Sequence, residues 1–133
     1  MEEIIEQLRG QGYRLTRQRQ QVLAVLSNRP QSVGEVVTAL KTKDLRLDKV
    51  TVYRTLDCFV KLGAVNATQF RNQTTKYELA SQPHHHHLIC DRCGSVQDIP
   101  MNEASLIKQA NRRTGFIIRS HTLEFYGLCV KCR

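Results

Sequence analysis

Residues 48–79 read DKVTVYRTLDCFVKLGAVNATQFRNQTTKYEL, and the spacing of their apolar positions changes halfway. From Asp48 to Leu62, Val52, Leu56, Phe59 and Val60 recur at helical intervals, which predicts one buried helix face with Gly63 at its end. The period then falls to two. Ala64 to Phe70 and Lys76 to Leu79 predict short strands around the polar turn Arg71-Asn72-Gln73-Thr74, a hairpin signature.

Upstream, Ile4, Ile5 and Leu8 share a face of a short helix stopped by Gly10 and Gly12. Thr16 offers an N-cap to a second helix carrying Val22, Leu23, Val25 and Leu26, which stops near Asn28-Arg29-Pro30. Ser32 or Val33 opens a third, with Val36, Val37 and Leu40 inward, ending in the charged stretch from Lys41 to Asp44. Helices followed by a hairpin is the order of a winged helix-turn-helix, whose later helix enters the major groove. An ordinary small helical bundle with a hairpin has the same order.

Downstream, a polar stretch at 81–83 predicts a hinge between domains at 1–80 and 84–133. Leu88-Ile89 and Val96 to Ile99 read as strands, Met101 to Arg113 as a helix with Leu106, Ile107 and Ala110 apolar, and Phe116 to Ile118 and Thr122 to Tyr126 as further strands.

Charge separates the two halves. Twenty Lys and Arg against twelve Asp and Glu leave a net +8 over 133 residues, which favours a polyanionic partner over an acidic substrate. Residues 1–80 carry thirteen basic and eight acidic groups, with Arg14, Arg17 and Arg19 close together, while residues 84–133 hold every histidine and four of the five cysteines. At 41% hydrophobic residues each domain has a modest core, which excludes a large multi-domain enzyme. No apolar run approaches the ~20 residues that cross a bilayer, and the acidic N-terminus is unlike a signal peptide, so the expected location is the cytoplasm.

Cys90-x-x-Cys93 and Cys129-x-x-Cys132 supply four thiolates that can surround one tetrahedral zinc with no open position, a structural site. A redox Cys-x-x-Cys would stand alone at the start of a helix in a βαβ setting, which is missing. Just before this knuckle lie His84-His85-His86-His87. On a strand they split into two pairs facing opposite sides, each an incomplete imidazole site, with Glu78, Asp98, Glu103 and His121 as available partners. A solvated polar strand is the plainer alternative. Lys49, Thr51, Tyr53 and Arg54 open the fourth helix with side chains that reach phosphates or base edges, or else form a solvated face. Cys58, alone on that helix, reads as a packing residue.

Gly12-Tyr13-Arg14-Leu15-Thr16-Arg17-Gln18-Arg19, Thr51-Val52-Tyr53-Arg54-Thr55-Leu56, His84 through Gly94, and His121 with Tyr126-Gly127-Leu128-Cys129-Val130-Lys131-Cys132 together resemble the ferric uptake regulator superfamily, in order and over nearly the whole chain. The resemblance implies an α+β protein: an N-terminal winged helix-turn-helix, then a small α/β dimerisation domain with a four-cysteine zinc site. It implies a cytoplasmic, homodimeric, metal-dependent repressor that binds a double-stranded DNA operator, senses iron(II) and controls metal uptake, with no enzymatic activity, small-molecule substrate or membrane. Zinc-uptake or peroxide-responsive regulation is the alternative within the superfamily, and a metal-dependent hydrolase the remote one outside it. Structural zinc falls on Cys90, Cys93, Cys129 and Cys132. The regulatory ion, Fe(2+) or another divalent metal such as Zn(2+) or Mn(2+), falls on Glu78, His85, His87 and Asp98. An additional site falls on His84, His86 and His121, with Glu103. DNA contacts fall on Arg14, Thr16, Arg17, Arg19, Lys49, Thr51, Tyr53 and Arg54.

Two departures from the family pattern stand out. Gln31-Ser32 occupies the place before the third helix where iron-type members carry His, and Ser105 takes the helix position where the additional site expects an acid, leaving Glu103 out of register.

Overall fold

The computed structural model describes residues 1–27, 29–71, 73–80 and 84–133. It divides into two compact units, Met1–Gln82 and Pro83–Arg133. The hinge expected at 81–83 lies outside the described residues, as do Asn28 and Asn72 of the expected helix stop and turn.

The first unit runs α1 (Glu2–Gly10), α2 (Arg17–Val25), α3 (Val33–Thr42), α4 (Lys49–Lys61), β1 (Val65–Gln69) and β2 (Thr75–Leu79). Three of these helices start where a side-chain oxygen replaces a missing backbone acceptor. Thr16 accepts from the Arg19 N–H, Asp48 from the Thr51 N–H at 2.6 Å, and Ser32 and Glu35 form a reciprocal capping box. Each such cap stabilises its helix by about 1 kcal/mol. α4 ends in a paired closure: the Ala64 N–H reaches Phe59 O at 2.9 Å and the Gly63 N–H reaches Val60 O at 3.0 Å. Gly63 can adopt the φ of 73° this needs without a Cβ clash.

That closure turns the chain into the antiparallel hairpin β1–β2, in the register Val65↔Leu79 to Gln69↔Thr75. Ile4, Leu8, Val22, Leu23, Val36, Leu40, Val52, Leu56, Phe59, Val65, Tyr77 and Leu79 form one continuous core. Val60, expected inward, is only partly buried, and Thr55 takes the inward place instead, its hydroxyl donating to Thr51 O at 2.8 Å. The helices and hairpin together form a winged helix-turn-helix, so the first unit has the expected architecture.

The second unit contains β3 (His86–Cys90), β4 (Val96–Ile99), α5 (Ala104–Thr114) and β5 (Glu124–Gly127). β3 is central, antiparallel to β4 and parallel to β5. α5 starts three residues later than its apolar pattern predicts, with Glu103 at the N-cap position. The strand expected at Phe116 to Ile118 has no ladder partner among the described residues, and Phe116 and Ile117 are 72% and 89% exposed. Among the described residues, no helix is long and apolar enough to cross a membrane.

Candidate metal centres and nucleic-acid interface

Cys90 ends β3 and the turn after it carries Cys93; Cys129 and Cys132 follow β5. Parallel pairing of β3 with β5 sets Cys90 opposite Gly127, which delivers the second knuckle to the first. The Asp91 N–H donates to Gly127 O at 2.8 Å and the Arg92 guanidinium to Cys132 O at 2.8 Å, locking the two turns together. All four sulfurs lie within 4.8 Å of one another, and Cys93 Sγ is 3.8 Å from Cys129 Sγ. Four thiolates ~2.3 Å from a tetrahedral ion would be about 3.8 Å apart, so the cage fits zinc.

The thiols share charge unequally. Backbone N–H groups of Cys93 and Cys129 pull Cys90 down to about 6, and the Ser95 side chain lowers Cys93, whereas the neighbouring thiols, Cys129 first, push Cys132 up to about 12. Four crowded sulfurs cannot all ionise unaided. A dication at their centre removes that conflict, since a coordinating thiol is deprotonated outright.

The first and third histidines meet a second cluster. His84 Nε2 and His121 Nε2 are 3.2 Å apart and lie 2.8 and 2.9 Å from Glu103 Oε1, while His86 Nε2 lies 3.1 Å from Glu103 Oε2. Nitrogens bound at ~2.0–2.1 Å around a tetrahedral ion would be about 3.3 Å apart, again a fit. His86 Nε2 and Glu103 Oε2 are buried with no partner at hydrogen-bonding angles, as expected of atoms aimed at a cation. The His86 imidazole beside it holds the Glu103 carboxyl below the usual range. Glu103, read as out of register, therefore enters the cluster from the N-cap of α5, and it makes no capping bond there.

The second and fourth histidines face the other way. His85 Nε2 and His87 Nε2 lie 4.0 and 3.7 Å from Asp98 Oδ1, because β3 and β4 pair His87 with Asp98 directly. These separations are wider than those among His84, Glu103 and His121. Glu78, expected with it, belongs to the first unit, where it is buried on β2 opposite Asn66.

Gln31, at the place of the family's imidazole, is engaged in the fold. Its backbone pairs with Tyr77 at 2.9 and 2.7 Å, its side-chain oxygen accepts from the Ser27 N–H at 2.6 Å, and its amide donates to Val25 O. This closes the end of α2 and ties it to the wing.

Among the expected DNA contacts, Lys49, Tyr53 and Arg54 project from α4 into solvent, Tyr53 at 52% exposure, and Thr51 is half-buried. Arg14 and Arg17 are exposed. Arg19 lies over the Tyr13 ring at 4.5 Å and donates to Arg14 O, and Thr16 is occupied in capping α2. Residue spacing did not single out Arg92 or Ser95, which support the cysteine cage; their nearness to Cys93 was the available signal.

A winged helix together with a unit whose histidines, acids and cysteines converge in ion-sized clusters defines a metal-responsive transcriptional regulator. Residues 10–126 match the ferric uptake regulator family, and the chain belongs to that family. It is 31% identical to the ferric uptake regulation protein of Bacillus subtilis, over 99% of this chain and 93% of that one. It is 29% identical to the peroxide-responsive repressor PerR of Staphylococcus epidermidis, over 100% and 90%. Among solved structures, the Helicobacter pylori ferric uptake regulator superposes with a TM-score of 0.84 at 25% identity, covering 98% of this chain and 92% of that one; its structure reveals three functional metal-binding sites.

Proposed function

We propose that this chain is a cytoplasmic, operator-binding homodimer that represses metal-uptake genes when iron(II) is plentiful. The mixed nitrogen and oxygen set of His85, His87 and Asp98 carries this reading, because such donors suit iron(II), manganese(II) or zinc(II), while the separate thiolate cage is suited to structural zinc. Glu78 is the further donor that the family resemblance assigns to this ion. An ion favours only the arrangement it binds better, and it thereby enriches the DNA-competent form. His84, His86, Glu103 and His121 hold an additional ion.

The three donor sets parallel the three sites of the Helicobacter pylori protein. Operator contact through Tyr53 and Arg54 is supported by their exposure at the start of a basic helix, and dimerisation by the uncovered apolar residues Leu106, Phe116 and Ile117. Peroxide response is the second reading, favoured by Asp98 and by the PerR relative; Gln31 in place of the upstream imidazole argues against it.

The test is operator binding measured while each metal is titrated, in the parent and in His85→Ala/His87→Ala. The double variant is expected to lose the metal response and keep its zinc. A double variant that responds like the parent would move sensing to His84, His86 and His121.

A further inference from the structure

One acid beside the His85, His87 and Asp98 set has no task in the reading above. Asp98 on β4 and Glu124 on β5 both stand directly opposite His87 on β3. Directly paired residues project to the same face of a sheet, so Asp98, His87 and Glu124 form a row across three strands. Alternation puts Tyr126 on that face too, and its hydroxyl donates to Glu124 Oε2 at 2.6 Å. The carboxylate is thus held over the sheet beside His87, on a neutral donor that can give it up.

Within the second unit this face supplies three donors, His85, His87 and Asp98. His85 and His87 lie 4.0 and 3.7 Å from Asp98, wider than the spacing of 2.8 to 3.2 Å in the set of His84, Glu103 and His121. Iron(II) and manganese(II) take up to about six donors of the imidazole and carboxylate type. The usual imidazole upstream of α3 is missing, and Gln31 is engaged with Ser27, Val25 and Tyr77.

We propose that Glu124 is an additional ligand of the regulatory ion: its carboxylate leaves the Tyr126 hydroxyl and closes on the ion beside His87, supplying the donor this chain lacks at Gln31. The inference rests on the assignment of His85, His87 and Asp98 as the regulatory set. No proton changes hands, since the tyrosine exchanges one acceptor for water.

The probe is manganese(II), titrated into the zinc-loaded full-length protein while free ion is followed by electron paramagnetic resonance. The binding class lost in His87→Ala marks the site. Glu124→Gln is expected to weaken that class by about tenfold or more, with zinc content and the other class unchanged. Glu124→Asp, which keeps a carboxylate, is expected to lose less. Tyr126→Phe is expected to tighten the class by roughly fivefold, because one competing hydrogen bond is gone. A residue that merely braced the sheet would make both substitutions weaken binding. Glu124→Gln titrating like the parent, or weakening in both Glu124→Gln and Tyr126→Phe, overturns the proposal. A His87→Ala protein that keeps every manganese class overturns the regulatory assignment itself.

Discussion

The two units bury opposite kinds of side chain. The first encloses Leu8, Val22, Leu23, Val36, Leu40, Val52, Leu56 and Phe59, as an aqueous protein ordinarily does. The second buries Cys90 at 4% exposure, His86 at 2% and His87 at 6%, each a member of a donor cluster, and among the described residues α5 buries none of its side chains. Burying one leucine stabilises by about 1.5–3 kcal/mol, whereas a structural zinc contributes on the order of 10–16 kcal/mol of apparent binding energy at pH 7. The first unit is therefore held by hydrophobic burial, and the second depends on coordination.

Removing the zinc attacks that contrast at its strongest point. Stripping with a strong chelator, or Cys90→Ser, is expected to unfold β3, β4, α5 and β5 while the amides of α2, α3 and α4 stay protected in hydrogen exchange. Protection persisting in β3 of zinc-free protein would mean that the second unit has another source of stability.

Leu56→Ala tests the other side. Leu56 is fully buried, so truncation should cost ~2–5 kcal/mol and lower the unfolding temperature of the first unit, with zinc content unchanged. Loss of zinc in this variant would show that the second unit relies on the first unit's core.

Surface chemistry on α4 should separate function from stability. Tyr53 and Arg54 are exposed, so Tyr53→Ala and Arg54→Ala should each weaken operator binding by about 1–3 kcal/mol while changing stability by no more than about 0.5 kcal/mol. Full operator affinity in both variants would assign these residues to a solvated face.

The contrast also explains what the amino-acid order made legible. α2, α3 and α4 were readable because their signals are local: Thr16, Ser32 and Asp48 cap them within three residues, and Gly63 sits directly beyond the last. The cysteine cage was readable from spacing alone. The parallel register of β3 with β5 was not, because nothing local marks His87 as the partner of Glu124, and the Asp98, His87, Glu124 row was hidden with it. Glu103, named with the additional site although out of register with the family's helix position, joins His84, His86 and His121 from just before α5, which begins one residue after it. Phe116 to Ile118 have the composition of a strand, yet a strand needs a ladder partner, which they do not find among the described residues.

The smallest effect concerns the charge that trims the first unit. Glu35 accepts from the Ser32 N–H at 2.6 Å and pairs with Lys76 of β2 at 3.5 Å. Partial burial works to raise its carboxyl, but the Ser32 N–H and the Lys76 ammonium outweigh that and hold it below the usual range. A carboxyl lowered in the folded state stabilises above its unfolded value, and that stability is lost as pH falls through the folded value. Glu35 is about half exposed, with its side chain at 53%, so water screens the pair and the contribution stays under about 1 kcal/mol. Glu35→Gln retains an oxygen that can accept from Ser32 and removes only the charge. Its stability should fall below the parent's at pH 7, and denaturant midpoints should converge as pH drops from about 5 to 3, where the parent's carboxylates take up protons. A gap that stays constant across that range would place the effect in cap geometry, leaving the Lys76 pair without energetic weight.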